Sequence, residues 1–496
     1  MKHLTSDSFP PEYKGLVYNA MDGLLTYEIL DVLKGLVPDD AQRIYTFEKK
    51  LLGPILSMSR RGIRIDEAKR TELINNLWPR IRALTGMDVK IKKNGDRKWY
   101  VANKEAIFQR LAFAMWGKEL NPNSGKQLRE FFYGFMGLSE VTRSKKGVLK
   151  VMMDRDAQEK LHKQYVKARP FTSCLLRFTD IKKQLELLET PLLDGRFMYT
   201  FNPSGTNEGR FNSKANPLYI GHNIQNIDPD LRHIFIPDDD FIFVSADLQG
   251  ADTWGVAYLS GDEELIKLVQ SGDPHTPIAA MAWGFEPKRE LADRKFYQTW
   301  TYRDMAKRLG HGTNFYGKAK TIAAEIKVET SLVEIFQRKY FKRFPGIPDW
   351  HSFLAKELQS QGCLTNPFGL KRYFWSRLWD DATLREAIAF GPASITAYVT
   401  AIGEYKMWKA LEGPDFNLLM NGHDSTLIQV RRSKLEEYIP LIKQCIEVKV
   451  PVTDIKGKER ELIIPTEIMV GMNWGNFDKK EPLKNPEGLK EYKRAA

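Results

Sequence analysis

Two aspartates, far apart in the chain, stand where a phosphoryl-transfer site needs carboxylates. Asp247 closes the apolar run Phe241-Ile242-Phe243-Val244-Ser245-Ala246; Asp424 follows Gly422-His423 and leads through Ser425 into Thr426-Leu427-Ile428-Gln429-Val430. Two metal ions about 3.5–4 Å apart can clamp the attacking and leaving oxygens of such a transfer, and they need shared carboxylates on rigid elements. Strand ends are rigid elements. Taken alone, an aspartate ending a buried strand is more often a helix cap or turn residue, and Asp424 also reads as plain turn. The third feature is cationic. Arg303, Lys307, His311 and Phe315 recur every four residues, a row that drifts slowly around one helix face. Arg and Lys four apart repel mildly on a solvent-facing helix. An anion between them removes that cost, and a nucleoside triphosphate is such an anion. Otherwise the segment is a basic surface helix with Gly310-His311-Gly312 as its frayed end.

The elements that must carry these residues are legible in outline. The run 241–247 is apolar enough for a buried strand, and 426–430 and 461–464 read as further strands. Residues 16–37 form one helix, with Leu25, Ile29, Val32 and Leu36 at i, i+4, i+7 and i+11, closed by Val37-Pro38-Asp39-Asp40. A long helical stretch follows from about Ala41. Residues 86–100 read as a basic loop (Lys90, Lys92, Lys93, Arg97, Lys98), with a second at Arg143-Ser144-Lys145-Lys146-Gly147. Short β segments are expected from Pro191 to Phe211, helices over 256–370, and a mixture over 371–496.

The whole chain permits such a site. Its 496 residues have room for about three domains, with 42% apolar and 28% charged residues. Lys+Arg 75 against Asp+Glu 63 leaves +12, a balance that suits a polyanionic partner without proving one. Cys174, Cys363 and Cys445 are scattered and odd in number, which argues against a disulfide framework and for a reducing compartment. No signal-peptide core follows Met1, and no uncharged apolar run approaches the ~20 residues that span a bilayer. A cytoplasmic protein with no membrane partner is expected.

In their order, the Asp247 strand, the basic segment 303–317 and the Asp424 turn resemble motifs A, B and C of family A DNA polymerases. Further phrases agree: Arg61-Gly62-Ile63-Arg64-Ile65-Asp66 and Asn121-Pro122-Asn123-Ser124-Gly125-Lys126-Gln127-Leu128 resemble thumb segments, and Asp273-Pro274-His275 and Phe344-Pro345-Gly346-Ile347 resemble fingers segments. The resemblance implies an α+β, right-hand polymerase fold: a thumb at 41–190, a palm with an antiparallel sheet at 191–255 and 371–496, and helical fingers at 256–370. It implies that Asp247 and Asp424 are the catalytic pair and hold two Mg²⁺, with Mn²⁺ able to substitute, and that Leu248 adds a carbonyl. Arg303 and Lys307 would take the triphosphate, and His311 would lie beside the deoxyribose. Phe315 or Tyr316 would stack on the template base, since one residue is inserted at this helix end. Asp252 stands where the family has a Glu that closes the pocket against a ribose 2′-hydroxyl. Arg210, Gln225 and Asn226 match the "G-R-x-x-S…N-x-Q-N" phrase that meets the minor groove; His423 and Arg385 are further DNA contacts. The partners implied are primer-template DNA and dNTPs.

Three departures bear on function. Ser425 replaces the usual Glu, and "His-Asp-Ser" also occurs in single-subunit phage RNA polymerases. Asp252 keeps an acidic gate and favours DNA synthesis over that rival; both aspartates together with Arg303 and Lys307 argue against a non-catalytic DNA-binding subunit, which needs no metal pair. The Gln expected after Arg385 is replaced near Ala393. Gly471-Met472-Asn473-Trp474-Gly475 resembles the terminal phrase of phage members, which leans toward phage replication in a host cytoplasm. Val17-Tyr18-Asn19-Ala20-Met21-Asp22 resembles the last motif of a 3′–5′ exonuclease domain, so 1–40 is read as its remnant. With no partner carboxylates before it, no intrinsic proofreading is expected. The apolar face of this helix is expected to pack on the thumb, or else to dock a separately encoded exonuclease; a processivity factor is another candidate partner.

Overall fold

The computed structural model describes residue 10 and residues 13–91, 97–145 and 148–493. Lys92, Lys93, Lys146 and Gly147 of the two basic segments lie outside the described residues.

Five antiparallel strands make the central sheet, in the order Phe416–Asn421, Ser425–Arg431, Phe241–Leu248, Thr466–Gly471, Lys490–Glu491. The first three are buried on both faces because both faces are covered, and Phe243, Val244, Leu418, Ile428 and Val430 are fully buried. Each such side chain contributes about 1.5–3 kcal/mol of burial. The long helix Asp381–Leu411 and the helix Leu52–Arg61 pack on Phe416–Asn421, and Leu435–Ile446 packs on the neighbouring strands. Ala251–Ser260 crosses the long helix closely at its proline: a Cβ on Gly255 would meet Pro392 Cα at 2.9 Å.

Before the sheet, helices Glu67–Thr85 and Arg169–Leu188 pack together, and Phe108, Phe131, Phe132, Phe171 and Leu175 build a separate apolar cluster. The Asn121–Leu128 phrase has a local cause. Ser124 Oγ accepts from Gln127 N, while Gln127 Oε1 accepts from Asn121 N at 2.8 Å, so the turn and the start of the next helix fix each other. Between the two halves of the sheet lie His275–Trp283, Tyr302–Asn314, Thr330–Arg343 and Gly346–Gln361, joined into the main core by Phe336, Tyr340, Phe344 and Trp350.

Two expectations are corrected. Where a loop was expected over 86–100, the described residues Met87–Ile91 and Arg97–Val101 form two paired antiparallel strands. Trp99 stacks on Trp78 at 5.7 Å and meets Phe178 edge-on at 5.5 Å, which anchors the strand pair despite its charge. The helix Lys14–Leu36 does not bury its apolar face on the thumb: Leu24, Leu25, Ile29, Val32, Leu33 and Leu36 are exposed, because apolar side chains are spread around it rather than gathered in one stripe. Among the described residues, no helix is long and apolar enough to cross a membrane.

Candidate active site

Strand register brings the two aspartates together. Phe241–Leu248 pairs with Ser425–Arg431 so that Asp247 faces Ser425, and Leu248 N donates to the Asp424 carbonyl at 2.9 Å. On the other side Asp247 faces Glu467. Burial, then the charges of Asp424 and Glu467, push the Asp247 carboxyl up to about 7, with Lys307 pulling against them. Burial and the Asp252 charge likewise raise Asp424, opposed by His423 and Arg210. Four acidic groups thus lie near one another, a place that favours divalent cations. Mg²⁺ is commonly held by one or two carboxylates together with substrate phosphates, rather than by an all-protein cage. Asp247 and Asp424, two buried carboxylates at adjacent strand ends, fit that pattern, and among the described residues no three His, Cys, Asp or Glu groups form a metal cluster.

The turn carrying Asp424 is braced from below. Asn421 Nδ2 donates to both Glu404 oxygens at 3.1 Å, and its Oδ1 accepts from His423 N at 3.1 Å. Its carbonyl accepts from Gln225 Nε2 at 3.1 Å, and Gln225 Oε1 accepts from Ser213 N at 3.1 Å. The bracing holds His423 at φ 80°, a left-handed conformation that costs a non-glycine residue about 1–3 kcal/mol. Ser425 Oγ fills the space a Cβ on Gly422 would need, so this hydroxyl and that glycine go together. Beside the turn, Arg210 Nε and His423 Nδ1 are buried without hydrogen-bond partners.

The helix Tyr302–Asn314 brings Lys307 near Asp247. A capping box between Thr301 and Asp304 fixes its start. Lys307 and His311 are exposed on one face, as the four-residue spacing requires, and the His311 ring lies 4.8 Å from that of Phe315. Arg303 is paired within the protein. Its Nε and Nη2 donate to Asp273 Oδ1 at 3.2 and 3.1 Å, and Asp273 also accepts from Thr276 and Arg289. Burial works against the Asp273 charge, but these hydrogen bonds hold its carboxyl below the usual range. His275, next but one in sequence, stands near Arg303 and Lys307. Burial, then those two charges, push it down to about 4, and its Nδ1 has no partner.

A sequence model of DNA polymerase family A matches residues 97–476. The chain belongs to that family. It is 25% identical over 445 residues to the thermostable DNA polymerase I of Thermus filiformis, covering 86% of this chain and 47% of that protein. It is 26% identical over 382 residues to DNA polymerase I of Mycobacterium tuberculosis, covering 73% of this chain and 39% of the relative. The chain thus spans about half the length, or less, of these curated relatives. Among solved structures, the POL domain of Pol1 from M. smegmatis, in complex with DNA primer-template and dNTP, superposes with a TM-score of 0.65 at 20% identity, over 86% of this chain and 70% of that one. The fold is the right-hand polymerase fold.

Within this family A frame the expected residues separate into groups. Asp247, Asp424, Asp252, Arg210 and His423 lie close enough to perturb one another's charge, Leu248 N donates to the Asp424 carbonyl, and Lys307 acts on Asp247 from the helix Tyr302–Asn314. Phe315 and Tyr316 part at the end of the helix Tyr302–Asn314. Phe315 stays beside His311, whereas Tyr316, at φ 59°, turns into a cavity with Gln337, Phe341 and His351. Asn226 is exposed, as is Arg385 near the start of the long helix. Gln225 is engaged under the Asp424 turn rather than free. Glu467, His275 and Glu404 were missed. Glu467 opens an apolar strand and His275 lies in a phrase matched to the fingers, but only the register and the packing of two helices show what they face.

Proposed function

We infer that this chain is a DNA-directed DNA polymerase, extending a primer 3′-hydroxyl with deoxynucleoside triphosphates. One observation carries the reading: Asp247 and Asp424 lie side by side on adjacent strand ends, under the cationic face that presents Lys307. Asp247, Asp424 and the Leu248 carbonyl would hold two Mg²⁺, or Mn²⁺ in their place. When bound, such ions supply Lewis-acid charge to the attacking and leaving oxygens. The protein's own work is placement of charge. The Asp247–Asp424 pair is pre-formed by the sheet and the Asn421 brace, so little reorganisation is needed at reaction. Lys307, with Arg303 and His275 beside it, meets the triphosphate and offsets charge on the leaving pyrophosphate. Arg303 shares its guanidinium with Asp273, which fixes its direction before nucleotide arrives. Asp252 guards the sugar 2′ position, and Arg210, Asn226, His423 and Arg385 lie where primer-template DNA would run.

The division into thumb at 41–190, palm at 191–255 and 371–496 and fingers at 256–370 is part of this proposal. So is a phage replication setting, which the Gly471–Gly475 phrase supports. Tyr18 and Asp22, the exonuclease-like residues, are exposed on the first helix; absence of intrinsic proofreading is part of this proposal, with a separately encoded exonuclease or a processivity factor as a candidate partner. Ser425, the one feature pointing to ribonucleotide polymerisation, spends its hydroxyl above Gly422. Incubating the purified chain with primed DNA, Mg²⁺ and either dNTPs or rNTPs tests the reading. Extension with dNTPs is expected; extension with rNTPs alone would replace it with the RNA-polymerase reading.

A further inference from the structure

Two indoles stand in the open on the strip that leads into the long helix. The hairpin of Cys363–Thr365 with Lys371–Tyr373 sets an alternation that continues past its end. Arg372 and Phe374 turn inward. Arg372 donates to Glu208 at 2.9 Å and to Glu386 at 2.6 Å, and its guanidinium covers the Phe374 ring at 4.7 Å. Phe374 joins Leu358, Leu364 and Phe390 in a small core of its own. Lys371, Tyr373 and Trp375 therefore face outward on an anchored backbone. The Tyr373 and Trp375 rings stack at 5.9 Å and 22°, with Trp375 91% and Trp379 74% exposed. Arg377, between the two indoles, is exposed as well.

Indole surface this large is seldom left to water without a use. The position of the strip says which use. Asp381, two residues after Trp379, is ion-paired with Lys318, which directly follows the Tyr316-Gly317 turn of the fingers helix. Leu384 lines the cavity that takes Tyr316, and Arg385 is exposed one residue further on. The aromatic strip thus continues the surface on which the fingers helix ends. Flat rings interleaved with cations match a strand of unpaired nucleotides: every base has a face to stack, and every linkage has a charge to meet.

We propose that Tyr373, Trp375 and Trp379 form a stacking platform for the unpaired template strand ahead of the primer end, with Lys371 and Arg377 against its phosphates. The inference rests on the polymerase reading above. Its test compares primer-template DNA bearing a one-nucleotide template overhang with the same duplex bearing about ten, at one fixed salt concentration. Wild type is expected to bind the longer overhang at least about tenfold more tightly, from stacking on the exposed rings. The double substitution Trp375→Ala, Trp379→Ala should erase that difference and leave single-nucleotide addition on the one-nucleotide overhang at the wild-type rate. Trp375→Phe with Trp379→Phe, which keeps a ring at each place, should restore much of the preference. Overhang preference kept whole in the alanine variant, or absent from wild type while extension proceeds, would overturn the platform and leave the polymerase intact. Failure of wild type to bind or extend either DNA would overturn both.

Discussion

Replacing Glu404 by Gln should stabilise this protein, and more so as pH rises. Glu404 sits on the long helix with its side chain fully buried, and both its oxygens face Asn421 Nδ2 at 3.1 Å. Burial pushes its carboxyl from 4.5 up to about 8, with Asn421 and Thr426 only partly opposing. Between those two values the folded chain keeps a proton that the unfolded chain has released. Stability therefore falls with rising pH across that window, at about 1.4 kcal/mol per unit. The accumulated loss is about 3 kcal/mol at pH 7 and about 5 kcal/mol above pH 8. Gln has no proton to lose; its carbonyl still accepts from Asn421, and its amide can donate toward Thr426. The variant should match wild type near pH 5 and exceed it by those amounts at pH 7 and pH 9. At about 2.1 cal/mol/K of unfolding entropy per residue, a chain of 496 residues melting as one unit would gain about 5 °C in Tm at pH 9. Thermal melts of both proteins at pH 5, 7 and 9 supply the difference directly. A shift independent of pH, or a loss that grows with pH, would refute the reasoning and place an ionised Glu404 in the folded protein.

Other consequences follow from the same geometry. Lys307→Ala should raise KM for dNTP and lower kcat together, since a triphosphate contact tightens as charge moves to the leaving group; unchanged steady-state constants would return that helix face to solvent. Asp252→Ala should admit rNTPs far more readily, and equal ribonucleotide rejection in competition extensions would mean that another group guards the sugar. A cation at Asp247 must displace a proton from a carboxyl pushed up to about 7. The rise in Tm produced by Mg²⁺ should accordingly grow from about pH 6 to about pH 8 and collapse in Asp247→Asn; a rise equal at both pH values would refute it.

The sequence made the chemistry more legible than its support. Asp247 and Asp424 stood out because each ends or opens an apolar strand, and a strand end is visible in one dimension. Lys307 and His311 stood out because four-residue spacing defines one helix face. Glu467 did not, since its meaning comes from facing Asp247 across a strand pairing that joins residues more than two hundred positions apart. Glu404 and Asn421 lie 17 positions apart on different elements, and nothing in either segment announces that they meet. Nothing in the sequence ties Arg303 to Asp273, which comes from another helix start. The strand pair at 87–101 was hidden by its own charges: five basic residues drew the eye from Trp99, whose packing decides the local fold. The apolar positions of the first helix predicted a buried stripe, yet their neighbours Leu24 and Leu33 widen it to about half the circumference.

The account stands or falls on the Asp247–Asp424 pair acting in catalysis rather than in folding or DNA affinity. Single-turnover extension of a primed template with dNTP and Mg²⁺, run beside a binding isotherm for the same DNA, separates the two for wild type and Asp424→Ala. Affinity comes mainly from phosphate contacts spread over the basic surface, so the variant should bind primed DNA as wild type does while extension falls by several orders of magnitude. Extension by Asp424→Ala at the wild-type rate would contradict the assignment of the active site.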